Sequence, residues 1–114
     1  MDHSFSRDLR VLAKAEFDRV HAARRSASDS LLVVSASRNG LPHSRLGLAV
    51  GRVVGNAVVR NRWKRWIREA FRLERDGLPT GFDYVVRPRP GMKGDFGAIR
   101  DSMRALAHRL AKRR

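Results

Sequence analysis

The chain has 114 residues, 42% of them hydrophobic, which suits one domain with a real core. Lys and Arg number 25 against 11 Asp and Glu, a net charge of +14 and a sequence pI near 11.8. There are no cysteines. That excludes disulfides, thiolate zinc sites and cysteine catalysis, and is compatible with a reducing cytoplasm.

Such a charge favours a polyanionic partner. Lysine stands only at 14, 64, 93 and 112, so the other cations are arginine. Arginine binds phosphate in a fork and stacks on bases, which points to nucleic acid rather than membrane. No run of 18 apolar residues predicts a transmembrane helix. "MDHSFSRDLR" lacks the apolar region of a secretory signal.

In chain order, residues 1–8 read as a loose polar lead. A first helix is predicted at roughly 13–25, with Phe17, Val20 and His21 on one face and Lys14 and Arg24 at its flanks. A short edge strand is placed at 24–29. "SLLVVSAS" (30–37) and "RLGLAVG" (45–51) read as strands. "RNGLPHS" (38–44) between them is a turn, so the two strands are expected to form a hairpin.

A long basic helix follows, predicted at 57–75. Asn56 is placed as its N-cap, with Gly55 letting the chain turn into it. Val59, Trp63, Trp66, Ile67, Ala70 and Phe71 form one apolar stripe. Trp63 is expected in the core and Trp66 nearer the stripe's edge. Arg60, Lys64, Arg68 and Arg72 stand four residues apart beside it, flanked by Asn61 and Arg65. Like charges at that spacing repel by roughly 0.2–0.5 kcal/mol per pair. Solvated helix faces usually mix signs, whereas Glu69 is placed on the far side here. The row therefore reads as a phosphate-binding face, whose neutralisation releases counterions.

Asp76-Gly77 and Pro79 stop that helix. "FDYVVRP" (82–88) is a strand. "RPRPGMKG" (87–94) is a loop carrying Arg87, Arg89 and Lys93. Asp95 caps a last helix, whose Phe96, Ile99, Met103, Leu106 and Leu110 form a core-facing seam. The fold class is thus α/β (α+β): a single domain, 1–114, with a small mixed sheet and three helices.

No active site emerges. The four histidines have no metal-ligand spacing, and the acids show no cluster of the two-metal kind. No Walker loop, dinucleotide fingerprint or nucleophile elbow is present. The residues describe an RNA- or DNA-binding module. A ribosomal-type rRNA-binding protein and a DNA-binding regulator are the rival classes, and no helix-turn-helix pair supports the second.

"RLGLAVGRVVGNAVVRNRWKRWIREAFR" (45–72) closely resembles the signature of the bacterial ribonuclease P protein component. The matching residues are Gly47, Leu48, Val50, Gly55, Asn56, Ala57, Val58, Arg60, Asn61, Arg62, Lys64, Arg65, Arg68, Phe71 and Arg72. "RVL" (10–12) with Phe17 and Val20, and "DYVVRPRPG" (83–91), extend the likeness over most of the chain. The resemblance implies a cytoplasmic ribonucleoprotein endonuclease whose separate RNA subunit does the catalysis with Mg2+. It implies that Arg60, Asn61, Arg62, Lys64, Arg65, Arg68 and Arg72 bind that RNA. It also implies that the 5′ leader of precursor tRNA lies in a cleft between the first helix and the sheet, at Phe17, Val34, Val50 and Arg52. No catalytic residue, protein-held metal, membrane contact or protein oligomer is predicted. A rare left-handed crossover through strand 45–51, helix 57–75 and strand 82–88 is implied too, against the right-handed rule. The chain departs from the family where His21 and Val34 replace cleft aromatics, and where Arg52-Val53 replaces a basic pair.

Overall fold

The structure is a computed structural model that describes residues 14–23, 25–89 and 94–112, without the side chains of Lys14, Glu16 and Phe17. The polar lead, the 10–12 segment, Arg24, residues 90–93 of the 87–94 loop and the last two residues lie outside the described residues. Helix α1 spans Lys14–Ala23, strand β1 Ser26–Ser28, β2 Leu32–Arg38 and β3 Arg45–Leu48. A 3-10 turn at Arg52–Val54 leads into α2, Ala57–Glu74. Strand β4 is Phe82–Pro88 and helix α3 Phe96–Lys112.

Asp29 sets the start of β2. Its Oδ1 accepts from the Leu31 and Leu32 N–H groups at 2.8 and 2.9 Å, a side-chain-to-backbone turn of the kind acidic residues favour. Asp95 starts α3 in the predicted way, its Oδ1 accepting from Ala98 N–H at 2.8 Å.

The four strands lie in the order β1-β2-β4-β3. β2 pairs antiparallel with β1 and with β4, while β3 runs parallel to β4. The hairpin expected between β2 and β3 is therefore wrong. The chain does turn back at Asn39-Gly40, but it leaves a gap that β4 fills. The cause lies in β4, where Phe82, Asp83, Tyr84, Val85 and Val86 are all buried. A strand covered on both faces belongs inside a sheet. The connection is also too long for a tight hairpin, and it bridges two strand spacings, about 10 Å. Asn39 fastens the turn to the inserted strand: its N–H donates to Gly81 O at 2.9 Å and its Nδ2 to Asp83 Oδ1 at 3.0 Å.

Strand alternation sorts the core into two faces. Leu32, Val34, Ala36, Leu46, Tyr84 and Val86 share one cluster with Trp63, Ile67 and Phe71 of α2 and Ile99, Met103, Leu106 and Leu110 of α3. The opposite face carries Val85 and Ala49, against which α1 packs fully buried Val20. The sheet thus lies between α1 on one side and α2 with α3 on the other. Among the described residues, no helix is long and apolar enough to cross a membrane.

Candidate functional site

The basic helix begins at a corner that its sequence builds. Gly55 sits at φ +154°, and a Cβ there would meet Val59 Cγ1 at 2.9 Å. Only glycine fits without strain. The next residue, Asn56, caps α2, its Oδ1 accepting from Val59 N–H at 3.0 Å. That bond satisfies one of the free amides of the first turn. The stripe then anchors the helix: Trp63, Ile67, Ala70 and Phe71 are buried. Trp66 is half-buried at the stripe's edge, edge-to-face with Trp63 at 6.0 Å between ring centroids.

The cations spread rather than stack. Residues four apart drift about 40° around a helix, so the row winds from the core's flank to the outer surface. Arg60 and Lys64 are half-buried on that flank, and Arg68 is exposed. Asn61, Arg62 and Arg65 are exposed as well. Arg60 Nε is enclosed and has no hydrogen-bond partner among the described residues.

Glu69 stands across the helix from Arg60, about 180° around, yet it reaches the far end of the row. Three residues before Arg72, it lies about 60° away around the helix and forms an ion pair with it. The hydrogen bond to Glu69 raises the Arg72 guanidinium above its ordinary pKa. Glu74, by contrast, turns inward and pairs with Arg100 of α3, so Glu69 is the acid of α2 left among the outer cations.

A groove of about 750 Å³ opens on the α1 side of the sheet. Val33, Ala49, Val50, Val53 and Val54 line it, with Arg87 and Arg89 beside them. Ala49 also packs with Val20, so α1 adjoins the groove. Of the expected cleft residues, Val50 lines it, and Arg52 is exposed in the 3-10 turn between two lining residues, Gly51 and Val53. Phe17 belongs to α1, but its side chain lies outside the described residues.

Val34 is a correction. It is 1% exposed and packs into the core under α2 and α3. The pleat turns its neighbour Val33 into the groove instead, because adjacent strand residues face opposite ways. Arg87 and Arg89 went unassigned as site residues. The same alternation along 82–88 was the available signal for Arg87, which is exposed in a strand otherwise buried. A second groove, about 470 Å³, is lined by Val58, Asn61, Arg62, Arg65 and Trp66 of α2.

Among the described residues, no three His, Asp or Glu side chains gather as a metal site. The arrangement can neutralise phosphates and cradle apolar groups.

The sequence pattern of the family described as Ribonuclease P matches residues 5–111. The ribonuclease P protein component of Thermotoga maritima is 36% identical over 96% of this chain and 98% of its own length. That of Chromobacterium violaceum is 40% identical over 96% and 92%. The solved Thermotoga maritima RNase P protein superposes with a TM-score of 0.80 at 35% identity, covering 88% of this chain and 96% of that one. The Staphylococcus aureus RNase P protein gives 0.76 at 31%, covering 90% and 94%. A shared fold and a match along nearly the whole chain lead to one conclusion: the chain belongs to the ribonuclease P protein family, the protein components of an endoribonuclease holoenzyme.

Proposed function

We propose that this chain is the cytoplasmic protein subunit of a ribonuclease P that removes the 5′ leader of precursor tRNA, with an RNA subunit carrying the catalysis. The observation that carries the reading is the outer arc of α2. Arg60, Asn61, Arg62, Lys64, Arg65, Arg68 and Arg72 lie along 13 successive positions of one rigid helix, and Glu74 is withdrawn to α3. Cations fixed on a packed helix meet RNA phosphates with little ordering cost, and each neutralised phosphate releases counterions.

The groove beside α1 holds the leader. Its valine floor suits the faces of unpaired bases, and Arg87, Arg89 and Arg52 suit the phosphates between them. Val50 is part of that floor. The resemblance sets aromatic rings where this chain has His21 and Val34, and Val34 is buried in the core, so a larger share of leader affinity falls to charge.

Hydrolysis by such a holoenzyme uses magnesium ions. Among the described residues no three His, Asp or Glu side chains gather to hold one. On this reading the ions sit with the RNA, and the protein's part is to bind and orient.

Reconstitution tests the reading. Mixed with its RNA subunit at low magnesium, the protein should stimulate 5′ cleavage of precursor tRNA. No stimulation over the RNA alone would refute it.

A further inference from the structure

Arg38 ends strand β2 on the surface, yet its guanidinium is held in place. Its Cζ lies 5.1 Å from the centroid of the Phe82 ring, and the Arg25 Cζ lies 5.8 Å from the same centroid. A cation over an aromatic face is attracted by the ring quadrupole. Phe82 itself is buried, packed into the core beneath these two arginines.

Distant parts of the chain complete the cluster. Arg25 Nη2 donates to Leu110 O at 3.1 Å, which brings the last turn of α3 to this corner, with Lys112 exposed just beyond. Arg109 Nη1 donates to Ser28 O at 3.3 Å along the β1 edge. Cations near a helix C-terminus offset its dipole, and that accounts for Arg25 and Lys112. Arg38 belongs to a strand instead. Among the described residues, its guanidinium donates to no acceptor.

This corner and the cation arc of α2 lie at opposite edges of the sheet. α3 packs over β1 and β2, whereas α2 packs over β3. Three strand spacings, about 14 Å, separate β1 from β3. The corner also faces away from the groove beside α1, because Phe82 belongs to the core under α2 and α3.

We propose that Arg25, Arg38, Arg109 and Lys112 form a second phosphate-binding surface, which grips a paired segment of the RNA subunit other than the one that meets α2. The ring of this corner is buried, so the surface offers charge rather than a platform for bases. That suits a double helix, which presents its phosphates and hides its base faces. The inference rests on the function proposed above, in which the substrate's leader lies on the other face of the sheet. The RNA on this face is then the subunit. Held at both edges of the sheet, the protein braces two segments of that RNA against each other.

The test uses the whole chain and its RNA subunit. Filter binding over a salt series compares the wild type with Arg38→Gln, Arg38→Lys, Lys112→Gln and Arg68→Gln, and hydroxyl-radical footprinting maps the protected backbone. Arg38→Gln and Lys112→Gln should each weaken binding severalfold. Each should make the log–log slope shallower by about 0.7–0.9, one phosphate contact apiece. Arg38→Lys should keep the slope, because the charge stays. Arg38→Gln should lose protection at a segment other than the one that Arg68→Gln exposes. Lys112 is exposed at the helix end, so its variant decides the matter if Arg38→Gln melts early. Unchanged slopes in both corner variants overturn the proposal, and so does loss of protection at one shared segment. Intact subunit binding with weaker holoenzyme affinity for precursor tRNA overturns it too, by assigning the corner to the substrate. An indifferent Arg68→Gln beside losses at the corner sinks the α2 reading alone and leaves the corner as the RNA contact.

Discussion

Glu69 closes an ion pair with Arg72 on the outer arc of α2, its Oε2 accepting from the Arg72 Nε at 3.0 Å. The two side chains are 43% and 26% exposed, and solvent screens a pair this exposed, so it adds little to stability. The consequence falls on binding, because Arg72 is half-neutralised before any RNA arrives. Glu69→Gln should tighten the RNA subunit severalfold at low salt. The log–log salt slope should steepen by about 0.7–0.9, the increment of one added phosphate contact. Arg68→Gln should weaken binding and make the slope shallower by a similar amount. Filter binding over a salt series measures both, and thermal melting should move little in either variant.

Asp83 is fully buried in the central strand, where Arg45 grips it from β3 with bonds of 2.8 Å to each oxygen. This pair spans the parallel junction that sequence reasoning mispaired. Arg45→Leu leaves a buried carboxylate with Asn39 alone beside it and should destabilise the fold by about 3–5 kcal/mol. Adding Asp83→Leu should restore much of that loss, since a well-packed apolar pair can replace a buried ion pair. Urea denaturation of the two variants provides the comparison.

Gly94 lies against the Trp63 ring. A Cβ there would meet Trp63 Cη2 at 2.6 Å, whereas one on Gly51 would meet nothing within 4 Å. Gly94→Ala should therefore displace the indole from the core at a cost of about 1–3 kcal/mol. Tryptophan fluorescence should change because the Trp63–Trp66 contact shifts with it. Gly51→Ala is the control, with unchanged stability and emission.

Asp29 ties the β1–β2 turn to α3, its Oδ2 accepting from Ser102 Oγ. Burial raises its pKa, but the hydrogen bonds from Ser102, Leu32 and Leu31 and the charge of Arg109 outweigh that and hold it below 3.8. A depressed carboxylate stabilises the fold above its unfolded pKa and loses that contribution as pH falls through the folded value. Asp29→Asn should cost about 1–3 kcal/mol near neutrality. The gap from wild type should narrow below about pH 4, the ordinary carboxylate range. Denaturation midpoints from pH 7 down to pH 3 would show whether it does.

Helix α2 was legible because its signals are local. The Asn56 cap, the stripe through Phe71 and the stop at Asp76-Gly77 each act within a turn or two of chain. The cation arc came with it, since helical geometry alone places those side chains outside. The groove was less legible. A one-residue error in register exchanges Val33 for Val34 and so exchanges groove for core. Arg87 and Arg89 enter the groove only because β4 passes beside β2.

The sequence by itself determined the helices, the strands and the basic face of α2, because period, caps and charge are properties of neighbouring residues. Tertiary structure alone decided the strand order, the Arg45–Asp83 pair and the groove. β4 displaced the expected hairpin because five successive buried residues must be covered on both faces, and only the centre of the sheet covers them.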